Sequence, residues 1–249
     1  FRSEHALGAI TEVYSGTFHI WPQEAVPLQG FSSQAVLFPL IRGLLGLSGS
    51  RLEKKISFHP QFPADWSDIN IEKFLVGETS FNFRVHRERD SLSIVVHQEK
   101  GKGFTLIVSP CFPRGTKITR MTVDEQEMSF QIHEENQIIW PEGKFQITKQ
   151  THLIQINFEP TLEIIPPFPE SSLGCRNQGL KIISLERTTR KIILVLQGRS
   201  GQKYRLKLVN SQKIKKVEGA TWENSYLLID FPFNSGKEFP VKNVIIFLK

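Results

Sequence analysis

Four side chains near the start of the sequence have the chemistry to act on or hold a ligand: Glu12, Trp21, Glu24 and Gln34. A carboxylate can transfer a proton or activate water. The indole of Trp21 offers a flat apolar face on which a ring can stack, and the amide of Gln34 can hydrogen-bond a hydroxyl. Each residue also has an ordinary alternative role: a solvated carboxylate, a core indole, or an exposed amide near a helix start.

A helix that would carry Gln34 is predicted over Ser33–Leu47, with Ser32 or Ser33 as its N-cap. Pro39 should kink this helix because it lacks an amide donor, and the glycines at 43, 46 and 49 should weaken and end it. The apolar residues follow helical spacing: Val36, Leu37, Leu40, Ile41, Leu44 and Leu45.

A shorter helix is predicted at about Glu4–Tyr14, and the Pro- and aromatic-rich segment Ser15–Gly30 between the two helices is predicted to be an ordered loop. The second helix is apolar on nearly all sides, so it should be buried. The first 50 residues offer almost nothing to bury it. We therefore expect further protein, or a partner surface, to cover this helix.

From about Lys55 the apolar pattern changes to a period of two, which is typical of β-strands. Residues 79–98 alternate on both sides of Arg89-Asp90 and predict a hairpin. Lys191–Gly198 and Tyr204–Val209 predict a second hairpin. Other strands are expected near 104–109, 117–123, 128–133, 145–149, 152–158, 180–186, 226–231 and 241–248.

This pattern predicts a mainly β protein: an antiparallel β-sandwich region, or two, preceded by a short α-helical segment. We divide the chain into a helical segment over 1–50, a β-sandwich over 51–170, and a second small β region over 171–249 that could instead complete the first sandwich. The boundary in the β part is placed after the proline-rich run that starts at Pro166.

Three segments together resemble the end of the catalytic barrel in amylo-α-1,6-glucosidase (glycogen-debranching) proteins, whose barrels are of the (α/α)6 type. They are Glu12–Gly16 (Glu-Val-Tyr-Ser-Gly), the Pro-rich Trp21–Pro27, and Ser33-Gln34-Ala35 at the start of the apolar helix. Leu40–Leu47 is similar to the last helix of such a barrel, and Phe58–Trp66 is weakly similar to its exit.

The resemblance implies that Glu12 is the general base of a glycoside hydrolase, with Glu24 as a weaker alternative, and that Trp21 and Gln34 contact the substrate. It also implies two partners, an N-terminal catalytic barrel of the same protein and an α-glucan or other oligosaccharide. Hydrolysis needs a second carboxylate as acid, and the sequence has no room for the barrel helix that would carry it. We therefore expect this chain alone to be inactive. Because the first residue is Phe1, we expect the numbering to begin inside a longer gene product, after processing, or at an artificial boundary.

Composition argues against several other classes of protein. The net charge is +6, but the basic residues are scattered along strands, so no nucleic-acid surface is predicted. The longest apolar run, Ala35–Leu47, is too short to span a membrane.

Cys111 and Cys175 have neither metal nor redox spacing and are interpreted as small buried side chains, although a disulfide between them stays open. No cofactor or metal motif is present. No signal peptide is evident, so we expect a soluble protein, with the cytoplasm favoured.

Two further functions remain open. The β region could be a non-catalytic carbohydrate-binding module with Trp66, Trp140 and Trp222 as the exposed aromatics, or an interaction domain. The sequence predicts Trp66 at a strand edge, Trp140 in a Trp-Pro turn and Trp222 in a loop. Core or edge packing is the alternative role for all three.

Overall fold

A computed structural model describes residues 30–101, 103–168, 179–233 and 236–249, and it describes side chains from residue 34 onward. The predicted short helix at about Glu4–Tyr14, and the predicted loop before Gly30, lie outside these ranges. The described part is mainly β, with sheets that are antiparallel except for one parallel strand pair and one short helix near its N-terminal end, as the sequence predicted in outline.

The helical segment differs in detail from the prediction. Helix α1 spans Gly30–Phe38, so it begins before both serines predicted as N-caps. A π-helical turn, Pro39–Leu44, follows it directly. The change of helix type at Pro39 has a physical cause, because proline has no amide to continue the α-helical ladder and its ring collides with the preceding turn. Leu47, predicted as helical, is the first residue of a strand.

The first β-sandwich consists of two six-stranded sheets. One sheet has the order β1-β2-β6-β11-β10, with β7 also pairing with β11. Its strands are β1 (Leu47–Ser50), β2 (Lys55–Phe58), β6 (Thr105–Val108), β7 (Phe112–Pro113), β10 (Phe130–Glu135) and β11 (Ile138–Gln146). The other has the order β3-β4-β5-β12-β8-β9. Its strands are β3 (Asp68–Val76), β4 (Thr79–Arg87), β5 (Ser91–Gln98), β8 (Lys117–Val123), β9 (Gln126–Glu127) and β12 (Thr151–Glu159).

Phenylalanine side chains from both sheets fill the first core. Phe58 of one sheet and Phe83 of the other are fully buried, and their ring centroids lie 4.7 Å apart. Phe81 packs edge-on against Phe104. Such rings bury large apolar areas, so the alternating phenylalanines of β4 account for much of the contact between the sheets.

The second β-sandwich has two four-stranded sheets, and its hydrophobic core is separate from the first. One sheet has the order β13-β16-β19-β18, with strands β13 (Glu163–Ile164), β16 (Gln202–Val209), β18 (Thr221–Glu223) and β19 (Tyr226–Phe231). The other has the order β14-β15-β20-β17, with strands β14 (Lys181–Arg187), β15 (Lys191–Gln197), β17 (Ile214–Glu218) and β20 (Val241–Leu248). A 3-10 turn, Ser211–Lys213, precedes β17. β13 belongs to this sandwich although it precedes the proline-rich run that starts at Pro166.

The hairpin predicted over 79–98 is confirmed, since β4 and β5 are antiparallel neighbours. The second predicted hairpin is wrong. β15 pairs with β14 and β20, whereas β16 pairs with β13 and β19 in the opposite sheet. The segment after Gly198 therefore crosses from one sheet to the other.

The predicted strand near 145–149 overlaps only the last two residues of the longer β11, which ends at Gln146. Its start was missed because Pro141 lies inside it. Proline cannot donate to a ladder. On one side, β11 pairs with β7 through Ile138–Ile139 and with β6 through Gly143–Gln146. Pro141 lies between these two paired stretches, so its missing amide costs no hydrogen bond to β6 or β7.

Candidate functional site

Residues of both sandwiches line a cleft of about 340 Å³, which we call the junction cleft. The loop after β2 and strand β7 form its first-sandwich wall, and β13 and the end of β14 form the other. Most of the lining is apolar: Phe62, Ala64, Pro113, Ile164, Pro166 and Leu185.

Three charged side chains line the same cleft: Arg87, Glu163 and Arg187. Nη2 of Arg87 donates to Oε1 of Glu163 at 2.6 Å, and the two side chains are only 12% and 9% exposed. Arg187 is 5% exposed. The backbone amide of Arg187 donates to the side-chain oxygen of Gln137 at 2.5 Å. Residues of the two sandwiches are thus tied across the cleft by one buried ion pair and one hydrogen bond.

Burial dominates the electrostatics of this group. It raises the pKa of the Glu163 carboxyl, and the guanidinium groups of Arg87 and Arg187 oppose that rise. Burial also lowers the pKa of Arg187 to about 10, so this guanidinium keeps its charge at neutral pH. Glu163 is the only carboxylate that lines the cleft among the described residues, and it is held by an arginine. The described residues of the cleft therefore do not supply the two carboxylates that glycoside hydrolysis requires.

Sequence reasoning missed this group. Glu163 gave a usable signal, because it stands in the apolar run Leu162–Ile165 directly before two prolines. A carboxylate in such a run is either a strand edge or a buried, paired group. Its arginine partners come from distant strands and gave no comparable signal.

A thiol and an imidazole meet beside the junction cleft. Sγ of Cys111 lies 3.1 Å from Nε2 of His59, and Nδ1 of the same ring lies 3.0 Å from Oγ of Ser109. Burial raises the pKa of the Cys111 thiol from 9.0 to about 12. Burial also lowers the pKa of His59, against the opposing effects of its contact with Ser109 and of the nearby Glu142. Both shifts disfavour a thiolate–imidazolium pair, so this is a neutral hydrogen bond and not an activated nucleophile.

We expect Cys111 to react slowly with alkylating agents in the folded chain. A pKa near 12 leaves about a thousandfold less thiolate at pH 8 than an ordinary cysteine has, and the reaction rate follows the thiolate. The measurement is the iodoacetamide rate at Cys111 in a Cys175→Ser background, by peptide mass spectrometry. The same chain unfolded in urea is the reference. A folded rate within tenfold of that reference would contradict the assignment of a neutral pair.

An imidazole–carboxylate pair lies beside a second, open cleft of about 500 Å³. His152 is buried, and its Nδ1 lies 2.9 Å from Oδ2 of Asp124. Its Nε2 accepts the backbone amides of Thr148 and Lys149, so the proton on Nδ1 is donated to Asp124. Burial would raise the pKa of Asp124, but the Leu153 amide, Lys149 and His152 lower it below its ordinary value. Both nitrogens of the ring are hydrogen-bonded within the protein, so this pair links the turn after β8 to the turn before β12.

The third concave surface lies on the helical segment. Helix α1 and the π-helical turn expose five large apolar side chains, which we call the apolar helix surface: Val36, Leu37, Phe38, Leu40 and Ile41. A groove of about 380 Å³ runs along it, and Gln34 and Arg42 also contribute to its lining. A stretch this apolar is normally covered in a folded protein.

Of the predicted site residues, Gln34 alone falls in the described part of the chain, exposed on α1 at the edge of this groove. The carboxylates Glu12 and Glu24, and the indole of Trp21, lie outside the described residues. Cys111 is a free thiol, and Cys175 also lies outside that part. Within the described ranges, no group of three or more His, Cys, Asp or Glu side chains is arranged to hold a metal ion. In the same ranges no helix has the length and apolar character to cross a membrane.

The three other tryptophans differ in exposure. Trp140 lies within β11, not in a turn, and packs between the rings of His59 and His133. Trp222 lies in β18, not in a loop, is 37% exposed, and donates its indole N–H to the carbonyl of Asn224. Trp66 precedes β3, stacks on Phe62 and is 42% exposed. Trp66 and Trp222 are thus the two exposed tryptophans of the described residues, whereas Trp140 is half-buried.

Comparison of the chain with known protein families, with curated proteins and with solved structures gives no match.

Proposed function

We propose that this chain is the C-terminal portion of a glycoside hydrolase similar to the glycogen-debranching glucosidases, and that its β-sandwiches support the catalytic barrel. The observation that carries the proposal is the apolar helix surface. It occupies the position at which the sequence resembles the last helix of an (α/α)6 barrel, and it is joined directly to the first sandwich.

The energetics favour a covering protein layer over solvent. The five side chains of the apolar helix surface are 39–58% exposed. Burying the exposed part of each contributes roughly 1 kcal/mol. Neighbouring barrel helices would supply this cover, because helices pack by inserting such side chains into each other's grooves.

In this proposal the chemistry lies outside the sandwiches. Glu12 is the general base that activates water, and the acid that protonates the leaving oxygen comes from an earlier barrel helix. The junction cleft cannot replace them, since its carboxylate is held by Arg87.

We expect the polypeptide encoded by the full reading frame to release glucose from a limit dextrin, and the 249-residue chain alone to release none. In the full polypeptide, Glu12→Gln should lower kcat by roughly 10²–10⁴-fold, which is the usual range for losing an acid–base group. Glu24→Gln is the matched variant, and its kcat should fall less than tenfold.

Both variants should keep the unfolding curve of the parent protein, so that a lost rate reports chemistry. A full polypeptide without activity on α-glucans would overturn the proposal, as would measurable turnover by the 249-residue chain. A larger loss in Glu24→Gln than in Glu12→Gln would transfer the base role to Glu24.

The second candidate is a non-catalytic carbohydrate-binding module, favoured by the partly open faces of Trp66 and Trp222. Affinity electrophoresis of the 249-residue chain in gels containing amylopectin separates the two. If amylopectin retards the parent chain but not Trp66→Ala or Trp222→Ala, the chain is a carbohydrate-binding module. If amylopectin does not retard the parent chain, this second candidate function is excluded.

A further inference from the structure

We propose that the junction cleft binds a small organic carboxylate, whose anionic group is received by the guanidinium of Arg187 and whose apolar body lies between the two sandwiches. This inference is independent of glycoside hydrolysis. It rests on the hydrogen bonding of Arg187, the charges around it and the walls of the cleft.

The guanidinium of Arg187 makes few hydrogen bonds to the described part of the chain. It carries five N–H donors. Within the described part of the chain its one hydrogen bond runs from Nη1 to Oγ1 of Thr161, at 3.5 Å. The residue is 5% exposed, and none of its nitrogens is a fully buried atom without a partner, so its remaining donors keep some access where Arg187 lines the cleft. A buried charged donor in this condition favours an incoming acceptor.

The three charged side chains that line the cleft have a net charge of one positive unit, which a single added anion would balance. Glu163 is paired with Arg87 at 2.6 Å, and its single negative charge also attracts the nearby Arg187. Two guanidinium groups therefore share one carboxylate, and a single added anion balances them. A carboxylate matches the planar fork of an arginine and can accept two parallel hydrogen bonds.

The walls favour an organic anion over a simple inorganic one. Phe62, Ala64 and Pro113 lie on one side, and Ile164 and Leu185 lie on the other. The volume of about 340 Å³ suits a compact molecule of one ring or a short branched chain. A phosphate ion would meet Arg187 but leave these apolar walls uncovered.

The test is a titration of the 249-residue chain with benzoate, followed by ¹H–¹⁵N spectra that include the Nε–H of Arg187. We expect saturable shifts at Arg187, Ile164 and Leu185. Benzyl alcohol has the same body without the charge, and acetate and inorganic phosphate have charge without the body. Each should bind at least tenfold more weakly than benzoate. Phosphate binding as tightly as benzoate would overturn the organic-anion assignment.

Two variants remove the site by different routes. Arg187→Gln takes away the charged donor and should weaken benzoate binding roughly tenfold to a hundredfold. Ala64→Trp keeps Arg187 and fills the cleft from the loop wall, so it should abolish binding even if Arg187→Gln fails to fold. Arg190→Gln is the matched control, because Arg190 is exposed in the turn after β14 and its loss removes the same charge. Unchanged benzoate affinity in folded Ala64→Trp, or no saturable binding to the parent chain, would overturn the proposal.

Discussion

Replacing Glu163 by glutamine should lower the free energy of unfolding by roughly 3–5 kcal/mol, which is the usual result of removing one partner from a buried ion pair. The variant keeps the shape of the side chain but leaves two buried guanidinium groups without a negative charge. Arg87 is 12% exposed at its side chain and loses its ionic partner at 2.6 Å. Arg187, 5% exposed, loses the nearest negative charge in its surroundings. Urea unfolding followed by fluorescence and by circular dichroism gives the measurement.

Glu159→Gln is the matched control for this prediction. Glu159 accepts from Lys117 at 2.9 Å, but these side chains are 59% and 71% exposed. Exposed pairs of this kind contribute about 0–1 kcal/mol because water screens them. Equal losses in Glu163→Gln and Glu159→Gln would show that the junction pair is not buried in solution.

Benzoate connects this result with the proposed carboxylate site. In Glu163→Gln the junction cleft carries two positive groups and no negative one, so an anion should bind more tightly than in the parent chain. Benzoate should then recover part of the lost stability, because a ligand that binds only the folded state raises the free energy of unfolding. The same addition should leave Glu159→Gln no more stabilised than the parent.

The strands were the most predictable part of the fold. In β4 and β5 the alternation of apolar and polar residues reflects a sheet with one buried face, and the turn between them is short. This information is local, so the sequence carries it without reference to any other part of the chain. The bounds predicted for β8, β14, β15 and β20 are within one residue of those observed.

Which sheet each strand joins was not predictable in the same way. β15 and β16 both alternate, and the short polar segment between them has the composition of a hairpin loop. The two strands nevertheless lie in opposite sheets. Alternation identifies the buried face of a strand but is silent about its neighbour, since a short loop can either reverse a strand within its sheet or cross the core.

The junction cleft was also not predictable from the sequence, because local patterns do not show which distant segments become neighbours. Arg87 ends β4, Glu163 begins β13 and Arg187 ends β14. Each is an ordinary residue in its own segment, and only the packing of the sandwiches brings them together. The carboxylate at position 12 came instead from a local resemblance, and it stays a prediction.

The joint between the helical segment and the first sandwich gives the second large expected effect. Gly46 has φ +61°, a left-handed conformation that costs other residues about 1–2 kcal/mol. A Cβ at this position would also overlap the carbonyl oxygen of His59. The backbone here is closely paired, since the amide of His59 donates to the carbonyl of Gly46 at 2.8 Å and the amide of Gln61 donates to that of Leu44 at 2.9 Å.

We therefore expect Gly46→Ala to lower the free energy of unfolding by roughly 2–5 kcal/mol, the sum of backbone strain and the forced separation of the two segments. Hydrogen exchange should locate the damage, with faster exchange at the amides of His59 and Gln61 and unchanged protection in β12.

Gly43→Ala is the control, because a Cβ there meets nothing within 4 Å and lies in helical backbone. Alanine at position 43 should be neutral or stabilise by up to about 1 kcal/mol. If the two alanine variants behaved alike, the joint would owe its geometry to something other than Gly46. If only Gly46→Ala exchanges faster, this glycine holds the apolar helix surface in place against the first sandwich, and the same change should weaken any barrel docked on it.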